Sequence, residues 1–248
     1  MAHLVVGYLS LEKTISIVKA MEKAGADFVE LQIPFSDPLA DGPTIMRACE
    51  NSLANGTKVK DAFAVAQKLS KEVAIPLLFM AYYNTVFKYG VEKFCRDAKK
   101  AGITGLIVPD MSIEEESCEH FLQFCKKYSL HNIQVVSPSS TNERLKKNAK
   151  VANGFVYVTA RQGVTGARAQ LDKNLISFLK RVRQYFAIPI AVGFGISKKE
   201  HLKVLKGHAD IAIVGSAIID VINRSKGSKI EENISNFIRE LKKPVAAV

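Results

Sequence analysis

Eight short apolar runs recur along this chain of 248 residues, each separated from the next by a segment of helical period. The runs are 4–8, 28–33, 76–81, 105–109, 133–136, 155–159, 188–193 and 211–215. They are too short for helices, and apolar on both faces, as strands of a buried parallel sheet are. The intervening segments, such as 12–24 and 114–127, repeat their apolar residues at three- and four-residue intervals. Strict alternation of strand and helix without a long linker predicts a single (β/α)8 barrel over 1–248, closed by a last helix at about 229–242. A doubly wound open sheet is the main rival. It predicts a GxGxxG turn after the first strand, and residues 7–11 read Gly-Tyr-Leu-Ser-Leu instead.

Composition narrows the function. A hydrophobic content of 48% is that of a chain with a full core. No apolar run is long enough to span a bilayer, and the N-terminus lacks the features of a signal peptide, so the expected location is the cytoplasm. The four cysteines (Cys49, Cys95, Cys118, Cys125) form no CxxC pair and read as reduced thiols. The net charge of +11 raises the question of nucleic acid. The lysines, however, are scattered along helix faces, and no nucleic-acid-binding motif accompanies them. A solvated surface is the plainer reading, with some steering of a phosphorylated substrate.

Barrel enzymes gather their chemistry at the C-terminal ends of the strands and in the loops that follow. After strand 2 stand Glu30, Asp37 and Asp41. Asp-Pro and Asp-Gly are common turn formers, so a loop aspartate alone says little. Glu30 is different: a carboxylate in a strand buried on both faces is costly unless it has a partner or a task. No histidine lies at a strand end to complete a metal site with Asp37 and Asp41, since His3, His120, His131, His201 and His208 read as lying at strand starts or on helices, and no metal is expected. Two tyrosines and an amide follow strand 3 (81–87), and Asp110 follows strand 4 as a cap for its own helix or a polar support. The loop 159–168 carries two glycines and two arginines and is suited to closing over an anion. Strands 7 and 8 end in glycine turns, 193–197 and 214–218, that lead toward helix N-termini, where barrels commonly bind phosphate. No lysine lies in any of the eight strands, which argues against a Schiff-base aldolase. The residues together describe a barrel enzyme that uses carboxylate acid–base chemistry on an organic phosphate.

Four segments carry a closer resemblance. Pro34-Phe-Ser-Asp-Pro-Leu-Ala-Asp-Gly-Pro-Thr44, Arg161-Gln-Gly-Val-Thr-Gly166, Gly193-Phe-Gly-Ile196 and Gly215-Ser-Ala-Ile218 resemble, in order, motifs of the tryptophan synthase alpha subunit family. The resemblance implies retro-aldol cleavage of indole-3-glycerol phosphate to indole and glyceraldehyde 3-phosphate. It implies Glu30 as general acid–base and Asp41 as the group that holds the indole NH. It places Tyr82 and Tyr157 in the pocket, Thr165 in the closing loop against Asp41, and Gly166, Gly195, Gly215 and Ser216 at the phosphate. It implies no cofactor in this chain, and a pyridoxal-phosphate β subunit as partner, in an α2β2 assembly, facing Pro34, Asp37, Asn84 and Phe87. The chain departs from the family pattern in several places. It begins almost at strand 1, where family members carry a further helix that caps the barrel floor, so the expectation is either a start placed late or an open floor. Leu9 stands where a proline is usual, Gln32 where a glycine is usual, and Met46 where a glutamine is common. The rival readings are another phosphate-binding barrel lyase and a regulatory subunit with little or no catalysis of its own.

Overall fold

The computed structural model describes residues 1–159, 173–193 and 195–243. Strands β1 (Ala2–Val5), β2 (Val29–Gln32), β3 (Leu77–Met80), β4 (Gly105–Ile107) and β5 (His131–Ile133) pair in parallel and in chain order. Strands β6 (Val135–Val136), β7 (Val156–Thr159), β8 (Ile190–Gly193) and β9 (Ile211–Ile213) do the same. β5 and β6 are two parts of one stave. The break falls at Gln134, where the Asn153 side chain takes the Asn132 N–H at 2.6 Å in place of a neighbouring strand. The Gln134 carbonyl still accepts from Tyr157 N at 2.9 Å, so the second half of the stave rejoins the ladder. At the other seam His3 N donates to the Val214 carbonyl at 2.9 Å and Val214 N to the Met1 carbonyl at 3.0 Å, beside a parallel bridge from Ala2 to Val214. The result is a closed (β/α)8 barrel, as the alternation predicts.

Helices α1 (Leu11–Lys23), α2 (Pro43–Ala54), α3 (Val59–Leu69), α4 (Tyr83–Tyr89) and α5 (Val91–Lys100) cover the first half of the barrel. The second half is covered by α6 (Glu116–Glu119), α7 (Phe121–Lys127), α8 (Asn142–Val151), α9 (Lys173–Arg183), α10 (Lys199–Leu205), α11 (Ser216–Arg224) and α12 (Ile230–Lys242). Their starts carry ordinary caps: the Ser10 hydroxyl accepts from Lys13 N, the Thr141 hydroxyl from Arg144 N, and Pro43 opens α2. The last helix packs on α1 and α11, tied by Lys13 to Glu231 at 2.8 Å. No helix among the described residues is long and apolar enough to cross a membrane.

Two cores result. The larger lies between the strands and the helices. The smaller fills the barrel with Leu78, Met80, Tyr82, Ile107, Ile133 and their neighbours. Strand residues alternate between these cores, so Glu30 and Gln32 point inward while Leu31 points to the helices.

Besides the stave expected at 133–136, which begins at His131 and splits at Gln134, two elements differ from the sequence reading. The first strand begins at Ala2 and ends at Val5, earlier than the 4–8 expected, because Gly7 and Tyr8 belong to the turn. The helical segment 114–127 is interrupted at His120, which is left-handed (φ 54°). There the Glu116 carboxylate turns back to accept from Leu122 N at 2.7 Å and Gln123 N at 2.9 Å. It thereby caps a new helix, α7, and satisfies two of its free N–H groups.

In the turn after β1, Gly7 (φ 77°) has no room for a side chain, since a Cβ there would lie 2.1 Å from the Thr57 hydroxyl. Leu9, where the resemblance leads one to expect proline, is also left-handed (φ 70°) and 42% exposed. A branched side chain in that region costs roughly 1–2 kcal/mol. Leu9→Gly is therefore expected to stabilise the fold by about 1 kcal/mol. A higher midpoint in equilibrium urea unfolding would bear this out; an unchanged or lower one would refute it.

Candidate active site

At the C-terminal end of the barrel a cavity is lined by His3, Glu30, Asp41, Tyr157, Gly193, Gly195, Gly215 and Ser216, with Met80, Ile107 and Ile213 supplying apolar walls. Most of these positions follow from strand alternation, which points every second residue inward. Gly215 and Ser216 are brought in by the turn into α11.

Glu30 is 2% exposed. Its Oε1 lies 3.3 Å from His3 Nδ1, the residue directly across the β1–β2 ladder. Among the described residues its Oε2 has no hydrogen-bond partner. Such an atom is costly to bury, and a carboxylate held this way in a cavity is equipped to exchange a proton with a bound molecule.

Asp41 arrives from the loop after β2 and is 6% exposed. The loop turns back through a hydrogen bond from Asp41 N to the Pro38 carbonyl at 2.9 Å. Gln32 Nε2 and the Tyr82 hydroxyl both donate to Asp41 Oδ2, at 2.6 and 3.0 Å. Tyr82 is itself held by Ala40 N, which donates to its hydroxyl at 2.9 Å, and by the Phe35 ring stacked on it at 5.2 Å. Burial pushes the Asp41 carboxyl above its usual range, and His3 with the Gln32 and Tyr82 hydrogen bonds recovers only part of the cost. Burial likewise raises the Tyr157 phenol, with Glu30 and Asp41 adding to the effect, so it stays protonated. Tyr82 shifts the same way, through burial and then the Asp41 charge.

Gly193 makes room for Tyr157: a Cβ at 193 would lie 2.6 Å from the tyrosine hydroxyl and 2.7 Å from its ring. The turn after β9 feeds α11 directly, with Gly215 as its cap and Ser216 as its first residue. The turn after β8 does not meet its helix so soon. Gly195 (φ 47°) is followed by Ser197, whose N–H goes to His201 Nδ1 at 3.2 Å, and α10 begins only at Lys199. The dipole of α11 therefore bears on this end of the cavity more directly than that of α10.

Residues 1–246 match the family model described as tryptophan synthase alpha chain. This chain belongs to the tryptophan synthase alpha chain family. It is 45% identical over 225 residues to the tryptophan synthase alpha chain of Desulfotalea psychrophila, covering 91% of this chain and 88% of that protein. Among solved structures it resembles a variant of the tryptophan synthase alpha-subunit from Pyrococcus furiosus, with 31% identity and a TM-score of 0.89, over 97% of this chain and 96% of that one. It also resembles tryptophan synthase from Mycobacterium tuberculosis, with 34% identity and a TM-score of 0.87, over 97% of this chain and 89% of that one.

The structure brings together Glu30, Asp41, Tyr157, Gly195, Gly215 and Ser216 of the positions that the tryptophan synthase alpha family implies, with Tyr82 held behind Asp41. Thr165 and Gly166 lie outside the described residues. Of the four positions expected at the partner surface, Asp37, Asn84 and Phe87 are exposed. Pro34 is buried and shapes the loop from within. Asp110 caps α4 instead of its own following helix, accepting from Tyr83 N at 2.8 Å. Among the described residues no group of three or more His, Cys, Asp or Glu side chains is placed to hold a metal ion. The four cysteines are free, and burial pushes the Cys49 thiol up to about 12.

Two residues of the site were missed by the sequence reading. The apolar run 4–8 leaves His3 ahead of strand 1, whereas the strand begins two residues earlier, at Ala2. With the strand begun at Ala2, alternation places His3 on the inner face and next to Glu30. Gln32, which stands where the resemblance leads one to expect glycine, donates to Asp41; a polar side chain two residues beyond an inward glutamate is the available signal.

Proposed function

We propose that this chain cleaves indole-3-glycerol phosphate to indole and glyceraldehyde 3-phosphate, the retro-aldol half-reaction of tryptophan synthesis. The observation that carries the reading is one cavity with a buried carboxylate oxygen of Glu30 left unpartnered, Asp41 nearby, and the Gly195 and Gly215–Ser216 turns lining the same space. Glu30 gives a proton to indole C3, which turns the ring into a good electron acceptor. The carbon–carbon bond then breaks, its electron pair returns to the ring, and Glu30 takes the proton of the neighbouring hydroxyl as the aldehyde forms. Asp41 accepts from the indole NH and stabilises the positive charge that the ring carries between these events. Such a contact is stronger in the transition state than in the bound substrate and so lowers the barrier. The reading also assigns Thr165 a role toward Asp41 and Gly166 a role toward the phosphate.

The partner in this reading is a pyridoxal-phosphate β subunit in an α2β2 assembly, which receives the indole at the face bearing Asp37, Asn84 and Phe87. This chain needs no cofactor of its own. It works in the cytoplasm as one barrel domain.

The test is release of glyceraldehyde 3-phosphate from indole-3-glycerol phosphate, measured with and without a tryptophan synthase β subunit. Release that rises when the β subunit is added supports the reading. No release in either condition overturns it.

A further inference from the structure

We propose that His3 is a positioning residue for Glu30, its imidazole holding at Glu30 Oε1 the proton that Glu30 delivers to the substrate. The inference rests on the reaction assigned above and deepens it by adding a residue to the acid–base machinery.

The geometry points to this in three ways. His3 and Glu30 are register partners on β1 and β2, both facing the barrel interior, with Nδ1 and Oε1 3.3 Å apart. Both line the cavity, and they are 4% and 2% exposed. Each also keeps one buried polar atom without a partner among the described residues, His3 Nε2 and Glu30 Oε2. A pair serving only the fold pays for burial by satisfying its remaining polar atoms, because charges taken out of water recover their cost only when fully bonded. This pair is bonded on one side and open on the other, an arrangement suited to proton transfer rather than to stability.

The surroundings favour a proton on the pair. Burial, the largest single effect, would strip it from His3, but the charge of Glu30 and its contact with the imidazole, with Asp41 adding to them, together outweigh burial, and the imidazole ends above its usual 6.5. The other titratable groups nearby do not compete. Tyr157 on β7 stays neutral because burial raises it, and burial lowers the Met1 amine to about 6.

The step balances. The proton leaves His3 Nδ1 for Glu30 and passes from Glu30 to indole C3, forming the new C–H bond. The carbon–carbon bond breaks with its electrons returning to the ring. Glu30 then collects the hydroxyl proton and returns it to His3. The pair ends with the proton it began with, and His3 acts through Glu30.

A proton held by His3 leaves its signature in the pH profile, because His3 then sets where activity is lost as pH rises. With the β subunit present, His3→Gln is expected to lower kcat by about 10- to 100-fold at neutral pH with KM unchanged. The loss of activity on the alkaline side, set by His3 in the wild type, is expected to shift by about one unit or more. His3→Phe, which keeps the ring volume, provides a second variant in case the glutamine variant folds poorly. A direct reading comes from the imidazole titration of His3 by NMR: its midpoint should fall by about one unit or more in Glu30→Gln. A His3 variant that keeps the wild-type pH profile, or a His3 midpoint indifferent to Glu30, overturns the proposal. Were the wild-type chain to release no glyceraldehyde 3-phosphate, the reaction assignment would fall. The NMR titration would still uphold the pair if the midpoint depends on Glu30, and dismiss it if not.

Discussion

Glu30→Gln is expected to reduce kcat for cleavage of indole-3-glycerol phosphate by about 10²- to 10⁴-fold, the range for loss of a general acid–base group. The substitution is well suited to isolating chemistry from packing. Glutamine has the size and shape of glutamate, so the interior position opposite His3 stays filled and its amide oxygen can still accept from Nδ1. What disappears is the ability to carry a proton to carbon and to take one from a hydroxyl. Substrate affinity is set by the apolar walls and the glycine turns, so KM should hold while kcat and kcat/KM fall together. Single-turnover release of the aldehyde phosphate in the presence of the β subunit reads this directly. A Glu30→Gln chain that cleaves within a few-fold of wild type would remove Glu30 from the reaction.

Glu30 was legible in the sequence for the reason that makes it useful: a charge inside an apolar strand is expensive, so its presence demands an account. The barrel was legible because alternation of strand and helix is a property of spacing, which survives errors of a residue or two at element ends. His3 was not, because its place depends on where β1 starts and on its register against β2, and register is a relation between distant segments. The same limit hid the bond between Gln32 and Asp41, nine residues apart and on different kinds of backbone, which depends on how the loop after β2 folds back. The break at His120 was invisible for another reason. The apolar periodicity runs through it, and only the Glu116 carboxylate turning back onto Leu122 and Gln123 shows that the helix restarts. Of the two glycine turns, the sequence shows both but not that one reaches its helix at once and the other four residues later.

Asp41→Asn separates the two demands made on that position. In the reaction Asp41 supplies negative charge beside a ring that becomes positive, and removing one such preorganised charge is expected to lower kcat by about 10²- to 10³-fold. For the fold the charge is a burden. Burial raises the Asp41 carboxyl above its value in an unfolded chain, so the folded state holds the Asp41 proton more tightly than the unfolded state does. The associated stability is therefore fully present below the unfolded value near 3.8 and is lost as pH rises through the folded one. At neutral pH the ionised Asp41 destabilises the fold, and an asparagine, whose carbonyl can still accept from Gln32 and Tyr82, relieves that cost. The variant is expected to melt higher than wild type at neutral pH, with the gap closing as the solution is acidified and Asp41 itself becomes neutral. Melting curves across that pH range, set beside kcat, test both halves. A variant less stable at neutral pH would mean that the hydrogen bonds to Oδ2 outweigh desolvation, and a variant with unimpaired kcat would mean that the ring's charge is met elsewhere. The opposite signs expected for rate and stability are those of a site that keeps a strained charge because the reaction uses it.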